Sequence, residues 1–152
     1  MFERHGKGAA VSLRDRFIKN LDDVVLEFSM KKIAAYDSSW VDVDIKINSA
    51  VISYDLKNWE SDGEILDKAD IKNVLHIMNR WLAGEVACVE EYESAEPDLL
   101  LRFYPGEEKR IDFCICLQTQ DLAFTENYIV LPMYNQKAID FVEYWKKVGT
   151  NL

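Results

Sequence analysis

Trp40-Val41-Asp42-Val43-Asp44-Ile45-Lys46-Ile47-Asn48 alternates apolar and polar side chains from Val41 onward without a break. A strand sends successive side chains to opposite faces. The alternation therefore puts Val41, Val43, Ile45 and Ile47 on one face and Asp42, Asp44, Lys46 and Asn48 on the other. It predicts a strand of an antiparallel sheet with one apolar face and one wet face. Upstream, Val24, Leu26, Phe28 and Met30 alternate with Val25, Glu27 and Ser29 in the same way. Downstream, Asn48-Ser49 predicts a tight hairpin turn into a further strand over 51–56. The first half of the chain reads as an antiparallel meander.

The period changes at Asp67. Ile71, Val74, Leu75, Met78, Trp81 and Leu82 recur at helical spacing, predicting a helix over 67–83. Asp67 is the expected N-cap, Asp70 sits near the positive end of the helix dipole, and Gly84 suits a left-handed end. Strand signals resume at 86–89 and again at Leu99, Leu101 and Phe103. After a turn region over 104–110, Ile111, Phe113, Ile115 and Leu117 alternate with Asp112, Cys114, Cys116 and Gln118. A last strand is expected over 128–131. Asn135 is then placed to cap a closing helix over 135–148, with Ala138, Phe141, Val142, Trp145 and Val148 inward and Gly149 after it. Strands, helix, strands, helix is the order of an α+β fold: a mainly antiparallel sheet meander with two helices packed on it.

The 152 residues suit one domain, large enough to bury a core without disulfide or metal staples. Apolar residues at 49% and charged residues at 30% exclude a disordered class. The net charge of -9 disfavours nucleic acid and anionic membranes as partners, because phosphate binding needs clustered Lys and Arg. The charge is uneven. Arg4, Lys7, Arg14, Arg16 and Lys19 outweigh Glu3 and Asp15 in residues 1–20, which read as a basic arm or short helix outside a single domain over 21–152. That arm is expected to be dispensable for folding. Residues 85–98 hold Glu85, Glu90, Glu91, Glu93, Glu96 and Asp98 with no basic residue. Three cysteines, an odd number, and an N-terminus without an apolar signal region make a reduced cytoplasmic protein the expectation.

Motifs for chemistry are sparse. His5 and His76 have no histidine or cysteine at zinc spacing, so no metal or other cofactor is expected. Cys114 and Cys116 share a strand face and read as small, half-buried packing residues. Asp42-Val43-Asp44 is a D-x-D triplet, but both carboxylates fall where a strand's wet face needs polar residues anyway. Gly6-Lys7-Gly8 lacks the preceding strand and the ending of a phosphate loop. Of the four tryptophans, Trp81 and Trp145 fit helix core faces. Trp40 falls in the parity of the polar face and is one anchor candidate for a partner.

The order of landmarks resembles the WapI family of bacterial immunity proteins. The matching pieces are Trp40-Val41-Asp42-Val43-Asp44-Ile45, Asn79-Arg80-Trp81-Leu82-Ala83-Gly84, Glu96-Pro97-Asp98-Leu99 opening a strand, and Ile129-Val130-Leu131 followed by Ala138-Ile139-Asp140-Phe141. The likeness covers residues 24–148. It implies a cytosolic protein without catalysis that binds the C-terminal domain of a cognate toxin, with a basic nuclease as one such toxin. It carries over no site residues, since such faces differ with each toxin. The contact region expected from charge is Glu90, Glu91, Glu93, Glu96 and Asp98, read as a connecting segment, with the helix-flanking acids Asp62, Glu64 and Asp67 as second choice and the sheet face around Trp40, Asp42 and Asp44 as the place to look if the glutamates make no contact. The expected state is a monomer or weak homodimer. An enzyme with a site of scattered carboxylates and a scaffold module are the competing readings. A carboxylate pocket would favour the first, a large apolar homo-oligomer interface the second.

Overall fold

The computed structural model describes residues 16–32, 40–57, 66–94, 99–121 and 123–152. These form β1 (Arg16–Leu21), β2 (Val24–Lys32), β3 (Trp40–Asn48), β4 (Ser53–Lys57), β5 (Leu66–Asp67), α1 (Lys68–Leu82), β6 (Glu90–Glu93), β7 (Leu99–Phe103), β8 (Arg110–Gln118), β9 (Phe124–Tyr134) and α2 (Gln136–Gly149). The first sheet runs β1-β2-β3-β4, with β5 also paired to β3. The second runs β6-β7-β8-β9. Every pairing is antiparallel, so the chain is α+β with meander topology.

Both sheets turn one apolar face inward, and a single core joins them to the helices. Leu26, Phe28 and Met30 of β2 face Ile47, Ile45 and Val43 of β3 in register, and all six are buried. Phe28 stacks on Trp145 of α2 and meets Phe113 of β8 edge-on, with ring centroids 5.7 Å apart in each pair. The helix stripe reads as its spacing predicts: Ile71, Val74, Met78 and Trp81 are buried.

The ends of α1 follow from local chemistry. The Asp67 carboxylate accepts from the Asp70 N–H at 2.8 Å, and the Asp70 carboxylate accepts from the Asp67 N–H at 3.0 Å. This reciprocal box satisfies backbone donors that the first helical turn leaves open. At the other end Gly84 takes φ +75°. Its N–H reaches the Trp81 carbonyl and the Glu85 N–H reaches the Arg80 carbonyl, the paired closure of a Schellman motif. Asp67→Ala removes the cap acceptor and should cost about 1 kcal/mol, seen as a lowered urea midpoint with an unchanged slope.

Helix α2 starts differently from the expectation. Asn135 stands at its N-terminus with φ 53° and makes no side-chain cap. Asparagine is one of the few residues suited to that backbone, and its N–H donates to the Lys109 carbonyl at 2.7 Å. Gly149 is the last residue of the helix rather than its terminator. A Cβ there would stand 3.0 Å from Ile71 Cγ2, so its absence lets the two helices approach.

Three further expectations are corrected. The boundary after residue 20 cuts through β1, whose Phe17 is buried against Phe141 and Tyr144 of α2; residues 1–15 lie outside the described residues. No strand forms at 86–89; it forms at Glu90–Glu93 instead. The β3–β4 turn spans four residues, with the Ser49 hydroxyl accepting from the Val51 and Ile52 N–H groups, so β4 starts at Ser53.

An ion pair ties β1 to α2: Lys19 Nζ lies 2.6 Å from the Asp140 carboxylate. Hydrogen bonds from Lys19, then Gln136, hold the Asp140 carboxyl below its ordinary value. A depressed carboxyl contributes stability that is present above its unfolded value, about 4, and is lost as pH falls through the folded one. Asp140→Asn should therefore lower Tm at pH 7 and change it less at pH 3.

Candidate binding face on the second sheet

The outer face of the second sheet is set by the same alternation as its core face. Leu101, Phe113 and Leu131 point inward in one row, so the flanking rows point out. One outward row runs Glu91–Arg102–Asp112–Pro132, the next Glu93–Leu100–Cys114–Val130. Arg110 opposite Tyr134 and Cys116 opposite Tyr128 complete the face.

Its hub is Asp112, only 1% exposed. Arg110 donates to its carboxylate from Nε at 3.0 Å and Nη2 at 3.2 Å, and the Tyr104 hydroxyl donates at 2.8 Å. A buried carboxylate is tolerated only when paired and hydrogen-bonded, and this one is both. The Arg110 guanidinium in turn lies over Tyr104, 4.2 Å from the ring centroid, and 5.4 Å from that of Tyr134. One buried acid thus orients one arginine, which positions two aromatic rings.

Side chains also lie flat across the sheet. Arg102 Nε donates to Glu91 at 2.7 Å across adjacent strands. The Tyr128 hydroxyl on β9 donates to Glu93 on β6 at 3.3 Å. Those strands are three spacings apart, about 14 Å, so both side chains must extend along the surface. They span the row that holds Leu100 and Cys114, both of which are buried. Cys114 and Cys116 are fully buried, not half-buried, and burial pushes the Cys114 thiol up to about 11. Cys88 is exposed. Iodoacetamide should modify Cys88 in the native protein and reach the other two only on unfolding, as read by mass spectrometry of peptides.

Above these bridges the face is apolar along β9. Tyr134 and Val130 are 42% and 41% exposed, Pro132 between them is exposed, and Tyr128 is half-buried. Hydrogen bonds to Glu91 and Asp112 raise Arg102 and Arg110, and the bond to Asp112 raises Tyr104. Among the described residues no three His, Cys, Asp or Glu side chains converge as metal ligands, and His76 is exposed on α1.

The residues expected from sequence fall in several places. Glu90–Glu93 is an edge strand, not a connecting segment. Glu91 and Glu93 are on the outer face. Glu90 has the opposite parity, and its carboxylate accepts from both terminal nitrogens of Arg80 on α1, which hold it below the ordinary carboxylate range. Glu96 and Asp98 lie outside the described residues, as do Asp62 and Glu64. Trp40, Asp42 and Asp44 are on the first sheet, away from the glutamates. Asp42 is 7% exposed, with Lys31 at 3.8 Å, so that face is not simply wet there. Asp44 is half-buried beside a hollow of about 250 Å³ that Arg16, Glu27, Lys46 and Asp55 also line. Trp40 is half-buried opposite Asp67.

Tyr104, Arg110, Asp112, Tyr128, Val130 and Tyr134 did not stand out in the sequence. A signal was there: Asp112 shares its parity on β8 with Cys114 and Cys116, and one acid among small apolar residues marks a buried, paired carboxylate. No helix of the described residues is long and apolar enough to cross a membrane. No family model, curated protein or solved structure matches the chain.

Proposed function

We propose that this chain is a binding protein of the immunity type, which neutralises a bacterial toxin domain by occupying its surface without catalysis. The observation that carries this reading is the preformed outer face of the second sheet. Tyr104 and Arg110 are held by Asp112, Arg102 by Glu91 and Tyr128 by Glu93 before any partner arrives. Preordered aromatic and arginine side chains lose little freedom on binding, which is what favours tight contact. The chain's net charge of -9 adds a second support, since an acidic inhibitor is steered toward a basic nuclease and covers the surface that would meet nucleic acid. The order of sequence landmarks is the third.

The test is co-expression in a bacterium with each of a panel of basic nuclease domains from secreted bacterial toxins. Growth should be restored by this chain and not by an unrelated acidic protein of equal size. Continued killing at full expression of the folded chain would contradict the reading.

A further inference from the structure

Resting on that reading, we propose that the partner docks on the row Tyr134–Pro132–Val130–Tyr128 of β9, and that it offers an apolar patch ringed by lysine and arginine. The row follows one strand on the outer face, with Tyr134 and Val130 each about two-fifths exposed. It lies over a sheet whose polar groups are already paired. Arg102 is engaged by Glu91 and Arg110 by Asp112, so neither guanidinium is offered outward as an unpaired cation.

The charge around the row is acidic. Glu91 keeps half of its side chain in solvent despite its pair. Glu93 bonds to the neutral hydroxyl of Tyr128. Glu107 and Glu108 are exposed on the β7–β8 turn that leads into Arg110. Lys109 in the same turn points away, its ammonium donating to the Trp81 carbonyl at 2.7 Å. An apolar centre with an acidic border is the anatomy of a protein interface, and its complement is an apolar centre with a basic border. The two parts do different work. Desolvated aromatic contacts hold the complex and set its lifetime; border charges set the rate of encounter.

The experiment measures association and dissociation of the catalytically inactivated basic nuclease domains of that panel. The wild type is compared with Tyr134→Ala, Val130→Lys and Glu93→Gln, each first shown to keep the wild-type Tm within a few degrees. Glu90→Gln, on the opposite face, is the control. Tyr134→Ala and Val130→Lys should each weaken affinity about 30-fold or more, mainly through faster dissociation. Glu93→Gln should slow association and flatten its salt dependence, while Glu90→Gln should bind as wild type. Wild-type binding with Tyr134→Ala and Val130→Lys unaffected would overturn this surface and leave the immunity reading standing. No binding by the wild type would overturn that reading and the surface with it.

Discussion

Phe28→Ala is expected to remove about 3–5 kcal/mol of stability, the usual cost of deleting a buried aromatic ring. Phe28 is completely buried, and its ring meets four others: Phe113, Phe141, Tyr144 and Trp145. These belong to β8 and α2, so this one side chain joins the first sheet, the second sheet and the closing helix. The cavity cannot be filled by a single neighbour shifting, because the rings around it are held by two separate elements, β8 and α2. Domains of this size are stable by only about 5–15 kcal/mol, so the variant should be marginal at room temperature. Urea denaturation followed by tryptophan fluorescence would read the loss. A change below about 1 kcal/mol would mean the core is not joined through this ring.

Deleting residues up to 21 is expected to abolish the cooperative thermal transition. The charge pattern of residues 1–20 predicts a dispensable arm, but the structure places six residues, Arg16–Leu21, in register along β2. Phe17 and Leu21 are both buried, and full burial of each is worth about 1.5–3 kcal/mol. The deletion also removes the Lys19–Asp140 pair and leaves β2 as a bare edge. Differential scanning calorimetry would decide. An intact, sharp transition in a chain starting at residue 22 would return β1 to the status of an arm.

Much of the fold was legible because it rests on local periodicity. The alternation of β3, the helical stripe of α1, its Asp67 cap and its Gly84 end all appear where their side chains predict them. β1 is hard to read because its inward parity, Phe17, Lys19 and Leu21, includes a lysine and its outward parity includes apolar Ile18, and the burial of Phe17 depends on an α2 that is distant in sequence. The candidate face was mostly illegible. Acid density singled out residues 85–98, yet Glu90 is turned toward Arg80 on the helix side. The hub residues Tyr104, Arg110 and Asp112 are ordinary in sequence, and only the β7–β8 hairpin brings them together. Asp42 shows the converse: a position polar by parity that the fold buries.

The outer face of the second sheet is proposed as the place where this protein meets its partner. Hydrogen–deuterium exchange with and without the inactivated toxin domain tests it most directly. Slowed exchange is expected at the β9 amides of residues 128–134 and in the β7–β8 turn over 104–110, with β3 unchanged. Protection confined to β3 and the neighbouring strands of the first sheet, with β9 unchanged, would contradict it.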